Sequence, residues 1–414
     1  MHPLKKQIGN QQCIVSYCTA NEIVLEATME YAAVTESHII IEATANQVDQ
    51  NGGYTGMRPH DFVAYAMQLA KKAKLSQHLL TLGGDHLGPL TWLAEPSHIA
   101  MQNAEDLVRA YVKAGFSKIH LDTSMRLADD LRDKPLSTLT IAKRGARLAK
   151  AALEAMSEGQ ELVFVIGSEV PVPGGTEDNE EGIHITTPTD FINTVDVYRT
   201  IFLEEGLKAA WENVIGVVVQ PGVEFSDNIV FQYDQDAAAP LVRCLKQYPG
   251  LAFEGHSTDY QHPQSLTNMA NDGVLILKVG PELTFSLREA LLALTFIEEE
   301  MLPEAEHSRF RTVLDEVMLK EPKYWEKYYH GSEHEKKLAR VFSLSDRCRY
   351  YLGQTQVKES IQKLKSNIDR LNIPPGLLHQ HLPAANTKMT AHQMLKAHLQ
   401  RGVISKFQTS VSAK

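Results

Sequence analysis

The sequence predicts an α/β protein built on a (β/α)8 TIM barrel, followed by a helical extension. Short runs rich in β-branched and apolar residues alternate eight times with longer amphipathic runs, within roughly 290 residues. Several short runs are apolar almost throughout, such as residues 214–220, which is typical of parallel strands covered on both faces. A doubly wound open sheet is the alternative, but Cys18-Thr19-Ala20-Asn21 is not the glycine fingerprint expected after its first strand.

The predicted strands and helices follow one another in strict alternation. The strands are expected at residues 12–18, 38–42, 78–82, 118–122, 161–166, 214–220, 251–255 and 274–279. The helices are expected near residues 21–33, 59–74, 104–115, 136–156, 188–206, 235–247, 263–271 and 284–301.

The alternation stops after about residue 303. We expect a barrel over residues 10–302, a helical extension packed on it over 303–385, and a variable tail over 386–414. The polar end of that tail, residues 405–414, is expected to fray. Aromatic and basic runs at 324–329 and 345–351 favour packing of the extension on the barrel, with a partner surface as the alternative.

Composition narrows the class of protein. The chain has 414 residues and a net charge of −10, which disfavours nonspecific binding to nucleic acid or anionic membranes. No apolar run approaches the roughly 20 residues that span a bilayer, and residues 1–7 lack the apolar core of a signal peptide. Four cysteines without a Cys-x-x-Cys pair indicate a reduced, cytoplasmic protein, with Cys13 and Cys18 as small buried hydrophobic residues.

Chemistry in such a barrel lies where the strands end. The third predicted strand runs into Gly83-Gly84-Asp85-His86, where glycines allow a ligand to approach the backbone. Asp85 beside His86 indicates a proton-transfer group next to a metal ligand, and an Asp–His pair that caps a turn is the alternative.

The fourth and fifth strands end in further polar residues. Asp122, followed by Ser124, is a candidate to orient substrate hydroxyls or to support a metal ligand, whereas His120 is more typical of a satisfied interior histidine. Glu169 is a candidate metal or hydroxyl ligand. The loop behind it, which carries Gly174, Gly175 and Glu177, is a candidate lid, and His184 is either a ligand on this loop or a surface residue.

The last three strands supply Gln220, His256 and Lys278. His256 is followed by Ser257 and Thr258, which suits a metal ligand next to a phosphate or sugar contact. A strand lysine such as Lys278 indicates either a salt bridge inside the barrel or a phosphate contact. Nitrogen and oxygen ligands from His86, Glu169 and His256 at one mouth would suit zinc or a similar divalent ion, which polarises carbonyls.

Several long motifs carry a resemblance to a known family. They lie at residues 46–57, 83–89, 118–124, 169–175, 218–225, 256–261 and 344–347. Over residues 10–380 the chain resembles the Z-subunit family of tagatose-1,6-bisphosphate aldolase, which is similar in turn to class II aldolases. The resemblance implies a TIM barrel of the class II aldolase type. It also implies an oligomeric, noncatalytic partner that raises the activity and stability of a catalytic Y subunit in galactitol or N-acetylgalactosamine breakdown.

The similarity to class II aldolases implies roles for the strand-end residues. Asp85 corresponds to the residue that moves a proton, His86 and His256 correspond to metal ligands, and Glu169 keeps its spacing to Gly174 and Gly175. Two departures stand out. Gln220 replaces a metal histidine, and Ser257-Thr258-Asp259 replaces a glycine-rich phosphate loop, where Asp259 would repel phosphate.

A separate hypothesis is an enzyme that acts on its own. A metal-bound ketose phosphate would undergo retro-aldol cleavage, with or without readdition, so that the protein acts as an aldolase or a ketose 4-epimerase. Asp85 or Glu177 would then be the acid or base, and the metal ligands would be His86, Glu169, Gln220 and His256. A sugar kinase is a third possibility, which the lack of a Gly-x-x-x-x-Gly-Lys-Ser/Thr loop disfavours.

Overall fold

The computed structural model describes residues 1–131, 134–168 and 183–412. Eight parallel strands close into a barrel, which confirms the predicted fold class. The strands are β1 Ile14–Cys18, β2 Ile39–Thr44, β3 Leu80–Leu87, β4 Lys118–Leu121, β5 Val163–Ile166, β6 Val214–Val219, β7 Ala252–Gly255 and β8 Val274–Val279. Each strand pairs with the next along the chain, and β8 closes on β1 with Ile276 opposite Ile14.

Helices surround the barrel and form the extension. In the barrel region they are α1 Pro3–Gly9, α2 Glu22–Thr35, α3 Pro59–Lys72, α4 Ser97–Ala114, α5 Thr138–Glu154, α6 Pro188–Glu204, α7 Lys208–Trp211, α8 Gln235–Leu245, α9 Pro263–Asn271 and α10 Pro281–Met301. The extension contains α11 Phe310–Lys320, α12 Glu333–Phe342, α13 Thr355–Asp369 and α14 Pro375–His381, and the segment expected as a variable tail continues it with α15 Ala391–Leu399 and α16 Ser405–Val411. A short hairpin pairs Glu224–Phe225 with Val230–Phe231 between β6 and α8.

Helix α1, which is not among the predicted helices, closes the bottom of the barrel. Its buried Leu4 and Ile8 join interior strand residues such as Ile40, Val165 and Ile215 in an apolar cluster of their own. Leu4 and Ile8 are four positions apart behind a proline that begins the helix, so the pattern of a short amphipathic helix is present in the sequence.

Strand β3 is longer than predicted and contains a bulge. Gly84 pairs with Ile119 and Leu87 pairs with Leu121, so the two residues between them on β3 face a single residue of β4. His86 takes a φ of 48°, in the left-handed region, where the bulge departs from extended backbone. Adjacent strand residues normally point to opposite faces, and the bulge removes that alternation for Asp85 and His86.

The C-terminal segment is folded, so the expected fraying is wrong for residues 405–412. Helix α15 packs against α2 and α10, and α16 packs against α9 and β1. Phe407 is fully buried, and the Gln408 amide donates to the Tyr17 hydroxyl at 2.9 Å. Polar composition is a poor guide to this segment, because α16 buries Phe407 together with the polar residues Gln408 and Ser410.

No described helix combines the length and the apolar character that crossing a membrane requires.

Candidate functional site

A network of buried charges fills the upper interior of the barrel. Lys118 contacts Glu42 and lies 2.7 Å from a carboxylate oxygen of Glu254. Lys278 contacts Asp85 and lies 3.0 Å from Glu42 and 3.3 Å from Glu254. Three carboxylates thus share two ammonium groups, which is the kind of mutual pairing that buried charges require.

This pairing sets the protonation states. Burial alone would raise the pKa values of Asp85 and Glu254, but the facing lysines and histidines outweigh it and hold both well below their usual range. Burial would lower the pKa of Lys278, yet its three carboxylates raise it well above the ordinary value. Lys278 is therefore a cation at neutral pH and not a free amine that could form a Schiff base.

Three histidines lie directly above the charge network. The ring centroid of His86 is 5.1 Å from that of His120 and 4.9 Å from that of His256, and the third pair is 5.2 Å apart. All three side chains are buried. The β3 bulge, the end of β4 and the turn after β7 together form this triangle.

Each histidine places one ring nitrogen on a carboxylate. Nδ1 of His86 is 2.8 Å from Asp122, and Nδ1 of His120 is 3.0 Å from Asp85. Nε2 of His256 is 3.0 Å from Glu254. Carboxylates that hold histidines in this way fix the ring orientation and leave the second nitrogen for a metal ion.

The cluster suits a divalent metal ion in its donor chemistry. Ligand atoms of Asp85 and the three histidines all lie within 4.8 Å of one another. Burial lowers the pKa of His256 to about 3 and also lowers that of His120, so both rings are neutral, as metal ligands must be. The buried Nε2 of His120 has no hydrogen-bond partner within the described part of the chain, which a bound cation would satisfy.

Asp122 and Ser124 form a unit beside His86. The Ser124 hydroxyl donates to Asp122 Oδ1 at 2.7 Å, and the Ser124 N–H donates to the same oxygen at 3.1 Å. The His86 ring, with Ser124, holds the pKa of Asp122 far below its usual value against the opposing effect of burial. Asp122 thus supports His86 rather than projecting toward open space.

Gln220 is engaged in its own turn. Its side-chain oxygen accepts the N–H groups of Gly222 and Val223, each at 2.9 Å. Both lone pairs of that oxygen are then in use, so this conformation offers none to a metal ion.

Of the three residues that follow His256 after β7, the first lines the mouth, and the second and third form hydrogen bonds inside the protein. Ser257 lines the mouth next to His256 and has a φ of 52°. Thr258 is fully buried and donates to the Lys278 carbonyl at 2.7 Å, which ties β7 to β8. Asp259 accepts the N–H groups of Gly280 and Glu282 at 2.9 and 2.8 Å, so it caps α10. Burial and the nearby Glu282 raise its pKa to about 7.

Four predicted site residues, Glu169, Gly174, Gly175 and Glu177, lie outside the described residues. His184, which could have been a ligand or a surface residue, is exposed.

Several members of the site were not predicted from the sequence. A charged residue interrupts an otherwise apolar strand at Glu42, Lys118 and Glu254, which is the same signal that singled out Lys278. Cys18, expected to be a small buried hydrophobic residue, lies at the mouth with its thiol 3.7 Å from Glu42. The C-terminal extension also contributes, because Arg349 and Tyr350 line the same cavity as His86 and His256.

A closed parallel barrel with a carboxylate-supported histidine cluster at its strand ends defines a TIM-barrel protein with a candidate metal site. The model of one family, described as D-tagatose-1,6-bisphosphate aldolase subunit GatZ/KbaZ-like, matches residues 2–413. The chain belongs to this family, as the motifs indicated.

One solved structure is similar to this chain over nearly its whole length. The crystal structure of a probable tagatose 6 phosphate kinase from Sinorhizobium meliloti 1021 is 40% identical. The match covers 96% of this chain and 100% of that chain, with a TM-score of 0.88.

Two aldolases are more distant. The YdjI aldolase from Escherichia coli K12 is 13% identical, over 84% of this chain and 93% of that chain, with a TM-score of 0.42. The fructose-bisphosphate aldolase from Campylobacter jejuni is 13% identical, over 87% and 89%, with a TM-score of 0.44. Likenesses at this level support no conclusion about this chain.

Proposed function

We propose that this chain is the Z-type component of a cytoplasmic tagatose-1,6-bisphosphate aldolase, which binds a catalytic Y subunit and raises its activity and stability. The match of one family model to nearly the whole chain, residues 2–413, carries this proposal. A folded extension that continues to residue 412 gives the barrel a further surface for a partner.

Co-expression with a Y subunit tests the proposal. We expect the two chains to copurify, and we expect the Y subunit to gain turnover with tagatose 1,6-bisphosphate and to melt at a higher temperature. Unchanged turnover and melting temperature of the Y subunit in the presence of this chain would contradict the proposal.

The histidine cluster favours a second candidate, a metal-dependent enzyme that acts on a ketose phosphate by itself. The specific observation is that three neighbouring histidines are each supported by a carboxylate. Histidines whose rings are held by carboxylates are typical of metal sites.

In this second candidate function, different residues of the site would bind the metal ion and transfer the proton. His86, His120 and His256 would hold a divalent ion, with zinc the best match to three imidazoles. Such an ion would polarise the ketose carbonyl. Asp85 is ionised and borders the cavity, so it would accept the proton of the C4 hydroxyl.

Loss of that proton lets the bond between C3 and C4 break, and its electron pair passes toward the carbonyl. Readdition of the three-carbon fragment to the other face of the aldehyde, with return of the proton, inverts C4. Lys278 stays protonated beside Asp85 and stabilises the negative charge of the carboxylate.

The second candidate is tested with the purified chain, added zinc and tagatose 6-phosphate, by following fructose 6-phosphate and triose products. We expect His86→Ala to lose both bound zinc and turnover, whereas His60→Ala, the same change at an exposed histidine, keeps both. Wild-type protein that binds zinc yet forms no product would rule out this candidate. A gain in Y-subunit turnover would still support the first.

A further inference from the structure

Two segments that are far apart in sequence meet above the histidine cluster. One is the loop of residues 46–57 after β2, and the other is the stretch of residues 345–351 in the extension. The ring centroid of Tyr54 lies 4.9 Å from that of Tyr350 in an edge arrangement, and Tyr350 stacks on Tyr324 at 4.7 Å. Aromatic contacts of this kind hold the extension over the barrel mouth.

The loop that carries Tyr54 is preformed. A carboxylate oxygen of Asp49 accepts the N–H groups of Asn51 and Gly53, and the Tyr54 N–H donates to the Asn46 carbonyl at 3.0 Å. A Cβ atom on Gly53 would lie 2.4 Å from the Gln47 carbonyl oxygen, so this turn requires glycine. The loop therefore presents a fixed surface to the extension.

Arg349 projects from the extension into this junction. Its Nη1 donates to the carbonyls of Ser345 and Asp346, and its Nη2 donates to the Tyr350 hydroxyl at 3.0 Å. A guanidinium has five N–H donors, and these three bonds leave Nε–H and one Nη2–H for another acceptor.

The charge of Arg349 is not matched by a carboxylate. Two other buried arginines have one, since Arg288 lies 2.7 Å from Asp346 and Arg340 lies 2.6 Å from Asp315. The guanidinium of Arg347 lies instead over the ring of Tyr328, 3.1 Å from its centroid. Within residues 1–131, 134–168 and 183–412, no carboxylate oxygen lies within 4.0 Å of the Arg349 guanidinium. Asp346, its near neighbour in sequence, is taken by Arg288 and Thr284.

Arg349 borders two cavities. The inner one, of about 90 Å³, is also lined by Asp85, His86 and His256. The outer one, of about 1140 Å³, lies between α2 and the extension. Arg349 and Tyr54 line both, so the guanidinium stands where the space above the histidines opens into the larger cavity.

The N-terminus of helix α10 lies at this mouth, but its N–H groups already donate to a side chain of the protein. The N-terminus of α10 would offer N–H groups to a phosphate, but Asp259 accepts those of Gly280 and Glu282. Lys278 also lines the inner cavity, but its ammonium is shared among Asp85, Glu42 and Glu254. Among the described residues that line this cavity, Arg349 is therefore the cation that remains for a negatively charged group.

We propose that Arg349 binds the phosphate of a ketose phosphate whose carbonyl end lies at the histidine cluster. This assignment rests on the ketose phosphate chemistry proposed above for the second candidate. A forked guanidinium donates two parallel hydrogen bonds to phosphate oxygens, and the Tyr350 ring, 4.4 Å from its central carbon, fixes its plane. The extension thereby takes the place of a phosphate loop after β7.

Calorimetric titration of the metal-free full chain with fructose 6-phosphate, fructose and inorganic phosphate tests the assignment. We expect the sugar phosphate to bind, fructose to bind far more weakly, and Arg349→Met to lose about tenfold or more in affinity for fructose 6-phosphate. Inorganic phosphate should lose affinity in the same variant. Lys358→Gln removes an exposed charge from the outer cavity alone and should change affinity by less than about twofold.

Arginine modification of the wild-type chain gives a second test that does not depend on a variant folding. Fructose 6-phosphate should protect Arg349 from phenylglyoxal, as mapped by peptide mass, whereas fructose should not. Equal modification with and without the sugar phosphate, or Arg349→Met binding as tightly as wild type, would overturn the assignment.

These measurements separate the assignment from the proposed functions. If the sugar phosphate binds through Arg349 but the protein shows neither turnover nor activation of a Y subunit, the phosphate-binding role of Arg349 is supported and both proposed functions are contradicted. If Arg349→Met turns over substrate with an unchanged KM, the phosphate-binding role of Arg349 is contradicted and the proposed enzymatic function is supported.

Discussion

Nδ1 of His86 lies 2.8 Å from Oδ2 of Asp122, across the ends of the neighbouring strands β3 and β4. This contact turns the other ring nitrogen of His86 toward Asp85, 3.7 Å away, and toward the other two histidines. The orientation of the candidate metal ligand thus depends on a residue that would not itself touch the metal.

Asp122→Asn should weaken zinc binding by about 10- to 100-fold, because the amide cannot hold the His86 ring as a carboxylate does. Competition with a coloured chelator measures the affinity. Asp129→Asn changes an exposed carboxylate that accepts hydrogen bonds from Ser97 and should leave the affinity unchanged. Equal zinc affinity in wild type and Asp122→Asn would show that Asp122 does not support the site.

Gly88→Ala should destabilise the protein by about 3 kcal/mol or more, because a Cβ atom there would lie 1.6 Å from the Asp122 carbonyl oxygen. Backbone of β4 would have to move, together with Asp122. Urea unfolding measures the loss. Gly376→Ala is the matched control, since its Cβ meets nothing within 4 Å inside helix α14, and it should be neutral or stabilising by up to about 1 kcal/mol.

Lys118→Met should cost about 3 kcal/mol, because it leaves Glu42 and Glu254 with only Lys278 to share. Lys208→Met removes an exposed lysine from a loose pair with Glu212 and should cost less than about 0.5 kcal/mol. Similar urea midpoints for the two variants would mean that the buried network does not need its second ammonium group.

The protein should lose stability as the pH falls from 7 to 5, in part through His38. Burial and the nearby His78 lower the pKa of His38 to about 4, below its ordinary 6.5. Below about pH 6.5, His38 is protonated in the unfolded chain but stays neutral in the folded chain. The free energy of unfolding therefore decreases as the pH falls from about 6.5 toward 4.

His38→Gln should reduce this acid-induced loss by about 1 kcal/mol between pH 7 and pH 5, after allowance for the partial exposure of the ring. Glutamine does not titrate and keeps a donor for Thr81, which His38 contacts at 2.9 Å. His60→Gln, at an exposed histidine, should behave like wild type. The same loss in all three proteins would assign the acid sensitivity to other groups.

The sequence by itself determined the barrel and the position of its mouth. Hydrophobic periodicity is local, so helix α9 and strand β8 were predicted at their observed bounds, 263–271 and 274–279. Because parallel strands in a closed barrel end at one mouth, Asp85, His86, Asp122 and His256 were expected together there, and their contacts lie in one cluster.

Only the tertiary structure decided which partner each side chain meets. The bulge in β3 brings Asp85 and His86 to the same side, and strand register pairs Lys118 with Glu42 and Glu254. Long-range packing also brings Arg349 to the mouth, although it lies more than 260 residues after His86 in the chain. Gln220, in contrast, uses its side-chain oxygen in hydrogen bonds within its own turn. Strand register and docking of the extension arise from contacts between distant segments, so no local pattern of residues specifies them.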